Sequence, residues 1–160
     1  MKTHEIKIDN FQFSAAHFLI GEKFGVEALH GHNFGVEITF KSKIDDAGIV
    51  VDFINLRSYA KEIINQLDHK LLLPGRNPGI KIEQSDKNTN ISADSLFISI
   101  KSNNVVQIPF VNTSAELIAE YFAQNMLTKL RDSGMLNGTG TLKVGISEEP
   151  GCTGICRIDF

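Results

Sequence analysis

Apolar and polar residues alternate from Ile6 to His17, with Phe11, Phe13, Ala15 and His17 on one parity. A period of two puts those side chains on one face of a half-buried strand. The alternation returns from about Leu29 to Lys43, where His30, His32, Phe34, Val36, Ile38 and Phe40 share a face. Asp45-Asp46-Ala47-Gly48 reads as a turn and Ile49-Val50-Val51 as a short apolar run. The period then lengthens. Phe53, Leu56, Ala60, Ile63, Ile64 and Leu67 form a stripe at helical spacing from about Phe53 to Leu67, with Asp52 placed to cap the first turn.

From Pro74 to Ser95 the chain is rich in Pro, Gly, Asn, Asp and Ser and shows no period, which predicts an irregular excursion. Leu96–Ile100 and Val105–Phe110, joined by Lys101-Ser102-Asn103-Asn104, predict a hairpin. Thr113-Ser114-Ala115-Glu116 has the form of a capping box. It opens a second helix carrying Leu117, Ile118, Tyr121 and Phe122, which should end before Gly134. Two closing strands, about Gly140 to Ser147 and Gly154 to Phe160, flank the turn Glu148-Glu149-Pro150-Gly151. Strand, strand, helix, hairpin, helix, strand, strand is an α+β order: an antiparallel sheet with helices on one face.

Composition adds mainly exclusions. The 160 residues suit one domain spanning 1–160, 42% of them hydrophobic and 22% charged. The net charge of −3 and the scattered basic residues leave no patch for nucleic acid or an anionic membrane. No apolar run approaches the roughly 20 residues of a membrane span. The polar start Met1-Lys2-Thr3-His4-Glu5 has no signal-peptide core, so a cytoplasmic location is expected. Cys152 and Cys156 read as two small buried residues in a reducing compartment.

The histidines carry the chemistry. His30 and His32 are two apart on a strand, so both rings project from one face, with Gly31 between them. His17 ends the neighbouring strand. Three imidazoles leave a fourth position open, as in catalytic rather than structural zinc. On spacing alone, inward-facing core histidines explain the same residues. Asp68-His69, at the end of the first helix, reads either as a carboxylate-oriented general base or as an imidazolium favoured by the helix dipole. Glu148 at a strand end has, by itself, no claim beyond a solvated acid.

Together these segments resemble the 6-pyruvoyltetrahydropterin synthase family, which includes the 6-carboxytetrahydropterin synthases. Phe13-Ser14-Ala15-Ala16-His17 resembles its first zinc-ligand motif, and Leu29-His30-Gly31-His32-Asn33-Phe34 its His-Gly-His-Asn-aromatic motif. Gly48-Ile49-Val50-Val51-Asp52-Phe53 is similar to the entry into its first helix, and Leu67-Asp68-His69 to its Asp-His catalytic pair. Asn112-Thr113-Ser114-Ala115-Glu116 resembles the start of its second helix, and Glu148-Glu149-Pro150 its Glu-Thr-Pro element. The motifs run in family order from about residue 11 to 155. Residues 74–110 are the least family-like and read as an insertion.

The resemblance implies the tunnelling fold, a four-stranded antiparallel sheet with two helices, here with an inserted hairpin. It implies trimers or hexamers with active sites between subunits, and 7,8-dihydroneopterin triphosphate as substrate. It implies zinc on His17, His30 and His32, catalysis by Asp68 and His69, a pterin ring anchored by Glu148, and Thr113 and Ser114 near the substrate. One departure matters. The cysteine that members usually carry four or six residues before His-Gly-His is replaced here by Val26 and Phe24. Glu27-Ala28-Leu29-His30 is instead similar to a subgroup with glutamate in the cysteine's role, associated with 6-hydroxymethyl-7,8-dihydropterin. The expected function is therefore a zinc-dependent lyase giving that product. Synthesis of 6-pyruvoyltetrahydropterin or 6-carboxytetrahydropterin is the first alternative, and a non-catalytic pterin-binding barrel the second.

Overall fold

In a computed structural model that describes residues 2–136 and 138–160, the alternating segments form the two longest strands. These are β1 (His4–His17) and β4 (His30–Ser42), linked by the two-residue strands β2 (Ile20–Gly21) and β3 (Gly25–Val26). Helix α1 (Phe53–Leu67) leads into β5 (Lys70–Pro74). Three strands follow: β6 (Lys81–Gln84), β7 (Asn88–Ala93) and β8 (Leu96–Lys101). Then come β9 (Val105–Ile108), α2 (Ala115–Asp132), β10 (Gly140–Glu149) and β11 (Cys152–Asp159).

The main sheet runs β11-β10-β4-β1-β5-β9. Its first four strands are the expected antiparallel set, with β1 opposite β4 from His4↔Ser42 to His17↔His30. Two parallel strands extend it: β5 pairs with β1 only at Ala15↔Lys70 and Ala16↔Leu71, and β9 pairs with β5. The register of β1 slips between Ile8 and Phe11, where Asn10 adopts a left-handed φ of 61°. This bulge lets Ile8 face the core despite its even number. Phe13, Phe34, Ile38, Phe40, Leu142 and Val144 on the sheet pack against Leu56, Ile63, Ile118, Phe122 and Met126 of the two helices. The architecture is the expected α+β tunnelling fold.

Asp52 caps α1 as expected, accepting a hydrogen bond from the Ile54 N–H at 2.8 Å. Phe53, however, is 49% exposed: it is in phase with Ala60 and Leu67, but burial along the helix begins only at Leu56. The cap of α2 is Ser114, whose Oγ accepts from Leu117 N–H, rather than Thr113. The expected hairpin of residues 96–110 does not form. β8 pairs with β7 and β9 with β5, and a short 3₁₀ turn (Ser102–Asn104) sends the chain from one sheet to the other. The stretch expected to be irregular supplies β6 and β7, so the insertion is a three-stranded meander. Ile82, Ile91, Ile98 and Ile100 of the meander close a second small core with Phe18, Leu71 and Leu73. That core outweighs the weak strand propensity of Asn and Ser in β7.

Candidate metal centre and active site

The three histidines converge at one end of the sheet. His17 stands opposite His30, and His32 lies opposite Ala15, so all three share the face occupied by Phe13 and Phe34. Their ring centroids are 4.6, 5.2 and 5.0 Å apart, and one nitrogen from each falls within 4.8 Å of the others. Gly31 makes the approach possible, though through the backbone rather than the rings. A Cβ there would meet the Ala15 carbonyl oxygen at 2.9 Å.

Hydrogen bonds set the tautomers. His17 Nδ1 lies 2.8 Å from the Thr113 carbonyl oxygen and His30 Nδ1 2.8 Å from that of Ala28. A carbonyl can only accept, so each Nδ1 carries the proton and each Nε2 presents a bare lone pair. His17 is 1% exposed, and its Nε2 is buried without a hydrogen-bond partner. An unsatisfied buried nitrogen costs about 1–3 kcal/mol. A cation bound by His17, His30 and His32 would remove that cost, so the residues fit a zinc ion. Burial lowers the pKa of His17 from its ordinary value, outweighing the opposite effect of the Thr113 carbonyl, and so favours the neutral ring that a metal ligand requires.

Glu148 and Glu27 each lie within about 4 Å of one of these rings. Glu148 sits where the β10–β11 register slips, and its Oε1 is 3.9 Å from His17 Nε2. With His32, Asn33 and Gly35 it lines an open cleft of about 530 Å³. Glu27 lies beside His30, with Oε2 4.0 Å from Nδ1, and the same oxygen accepts a hydrogen bond from Leu19 N–H at 3.1 Å. Asp68 accepts from Ser14 N–H at 2.8 Å and holds His69 Nδ1 at 2.9 Å. The Ser14 hydrogen bond foremost, and then His69, hold the Asp68 carboxyl below its usual range. His69 has a φ of 58°, in the left-handed region that residues other than glycine adopt uncommonly, and its side chain is 81% exposed. Its backbone N–H donates to the Ser14 carbonyl, so backbone and ring are both tied to the Ser14–Asp68 corner. His69 and His32 both line a second open cleft of about 480 Å³.

Thr113, expected near the substrate, lies against His17. It is fully buried, its hydroxyl donates to the Phe18 carbonyl at 3.0 Å, and its own carbonyl holds His17. Ser114 is occupied as the helix cap. Cys152 is exposed rather than buried and Cys156 half-buried. Both thiols are pushed up in pKa, Cys152 by its hydrogen bond to Glu149 and Cys156 by burial, so neither is primed as a thiolate. In sequence, Asn112 is legible only as a residue before a helix. The structure gives it two hydrogen bonds to the backbone of Ile20, which no local sequence pattern announces. No helix among the described residues is long and apolar enough to cross a membrane.

A family model described as 6-pyruvoyl tetrahydropterin synthase matches residues 5–158. The 6-carboxy-5,6,7,8-tetrahydropterin synthase of Rickettsia bellii is 29% identical over 145 residues, covering 88% of this chain and 91% of that one. The dihydroneopterin monophosphate aldolase of Pyrococcus furiosus is 37% identical over 60 residues, 38% of this chain and 50% of its own. Structures of the Plasmodium vivax 6-pyruvoyltetrahydropterin synthase superpose with a TM-score of 0.89 at 26% identity, each covering 100% of both chains. They are catalytic-residue variants in which a glutamate is replaced by alanine or cysteine. With the tunnelling fold and the convergent histidines already in place, the match over almost the whole length shows that this chain belongs to the 6-pyruvoyl tetrahydropterin synthase family.

Proposed function

We propose that the chain is a zinc-dependent lyase that converts 7,8-dihydroneopterin triphosphate to 6-hydroxymethyl-7,8-dihydropterin. The observation that carries this reading is Glu27: a carboxylate stands beside the metal ligand His30, in the segment where the family usually has a cysteine. Two relatives support it. The Pyrococcus furiosus protein is named an aldolase of a dihydroneopterin phosphate, and the Plasmodium vivax enzyme has a glutamate as its catalytic residue.

His17, His30 and His32 would hold the zinc, which when bound supplies Lewis acidity that lowers the pKa of the substrate's vicinal hydroxyls. Glu148 accepts hydrogen bonds from the pterin's exocyclic amine and ring N–H, fixing the ring's orientation. Glu27 takes the proton from the hydroxyl on the second side-chain carbon. The bond between the first and second side-chain carbons then breaks. The second becomes an aldehyde that leaves with the triphosphate, and the electron pair on the first spreads into the adjacent C=N of the dihydropterin. His69, oriented by Asp68, returns a proton to the first carbon and completes the hydroxymethyl group. The family's other reactions, giving 6-pyruvoyltetrahydropterin or 6-carboxytetrahydropterin, form the alternative; the Rickettsia bellii relative is named for the second.

The by-product decides between them. Zinc-loaded protein should release a phosphorylated two-carbon aldehyde, trapped as its hydrazone. Release of free inorganic triphosphate instead would point to elimination and the two alternative products. We place the active sites between subunits of a trimer or hexamer, a reading supported by the sheet's unpaired β11 edge and by β5 covering β1 only at Ala15 and Ala16. Sedimentation of a monomer at assay concentration would contradict that assembly.

Glu148 is tested by Glu148→Gln, which turns one acceptor oxygen into a donor facing the pterin's donors. Leaving a buried polar group unpaired costs about 1–3 kcal/mol, so pterin affinity should fall roughly 5- to 150-fold with zinc content unchanged. Calorimetry with a pterin ligand reads the change, and unaltered affinity would remove Glu148 as the anchor.

A further inference from the structure

The segment Phe18–Glu27 carries the Glu27 carboxylate, and it is short of regular structure: β2 and β3 contribute two residues each. Its placement comes from side chains instead. The Asn112 amide reads the peptide of Ile20 in both directions, accepting from Ile20 N–H at 3.0 Å and donating to the Ile20 carbonyl at 2.9 Å. This is the two-bond pattern of an antiparallel strand partner, supplied by one side chain. Next door, Thr113 Oγ1 donates to the Phe18 carbonyl. Between these two anchors lies Leu19, whose N–H donates to Glu27 Oε2 and whose carbonyl accepts from Glu27 N–H at 2.9 Å.

The chain of contacts thus runs Asn112, Ile20, Leu19, Glu27. We propose that Asn112 is a positioning residue for catalysis, holding the Leu19–Ile20 backbone so that the Glu27 carboxylate is presented in one orientation. The inference rests on the reading of Glu27 as the proton-accepting group. Both hydrogen bonds of the Asn112 side chain go to Ile20, and His17 and His30 are held by the carbonyls of Thr113 and Ala28. Loss of the Asn112 amide therefore leaves those ligands' own hydrogen bonds intact. The effect of its removal belongs in the rate and not in metal content.

The test is a double-mutant cycle on the full-length zinc-loaded protein, with kcat and KM for dihydroneopterin triphosphate, zinc content and thermal melting measured for each variant. Asn112→Ala should lower kcat by about 10²-fold, the scale of a displacement near 1 Å in a catalytic group, with KM and zinc content unchanged. Asn112→Asp keeps the acceptor for Ile20 N–H but sets a carboxylate oxygen against the Ile20 carbonyl, and it should fall in the same direction. In a Glu27→Gln background, Asn112→Ala should cost less than about twofold more, because the carboxylate it positions is already gone. Independent, multiplying losses would overturn the proposal. So would loss of zinc or of the melting transition in both Asn112 variants, which would make the residue structural. A fully active Glu27→Gln enzyme would overturn both this inference and the role of Glu27. An inactive Glu27→Gln enzyme beside an unaffected Asn112→Ala enzyme would overturn this inference alone.

Discussion

Substituting His30 with alanine should abolish zinc binding and bring turnover to background. Purified wild-type protein should carry about one zinc per chain, measured by plasma mass spectrometry, and dialysis against a strong chelator should reproduce the variant's loss reversibly. The reason lies in how the site is built. His17 and His30 each spend Nδ1 on a backbone carbonyl, so neither ring can turn over to compensate for a lost ligand. Two remaining imidazoles leave the ion with too few protein ligands for a catalytic site, which takes three. Undiminished zinc in a variant lacking all three histidines would remove the metal from this position.

The second large effect is expected at Glu27. Glu27→Ala should keep zinc and substrate binding but lose about 10²- to 10⁴-fold in kcat, the usual worth of a positioned general base. A carboxylate suits removal of a proton from a hydroxyl acidified by a metal, which the carbon–carbon cleavage requires. The elimination route instead requires removal of a carbon-bound proton, so the product has to be measured beside the rate. A fully active Glu27→Ala variant would transfer the role of base to His69, whose Nδ1 is already committed to Asp68.

The histidine cluster is partly legible in the sequence because the spacing within each strand is local. Period-two alternation puts His30 and His32 on one face of β4 and His17 on the core face of β1, and the register His17↔His30 then brings the three together. Asp52 and the stripe from Leu56 to Leu67 give α1 its bounds for the same reason. The features that escape a reading of the sequence are non-local. Leu96–Ile100 and Val105–Phe110 look like neighbours in a hairpin, but each finds a better partner elsewhere: β8 in β7, and β9 in β5. The parallel addition of β5 to β1 at just Ala15 and Ala16 leaves no mark in either segment. Thr113 shows the same limit at the site. Its type and position suggest an anion contact, whereas burial and two hydrogen bonds make it the support for His17. Asn112 belongs to the same class, since its partner Ile20 is 92 residues away.

Cleavage of the carbon side chain of a dihydropterin at this metal site is the central claim. The direct measurement is mass spectrometry of the pterin formed when purified, zinc-loaded wild-type protein is incubated anaerobically with 7,8-dihydroneopterin triphosphate. The expected main product is 6-hydroxymethyl-7,8-dihydropterin, absent when His30 is alanine. A main product of 6-pyruvoyltetrahydropterin, or unchanged substrate from a protein that holds its zinc, would contradict it.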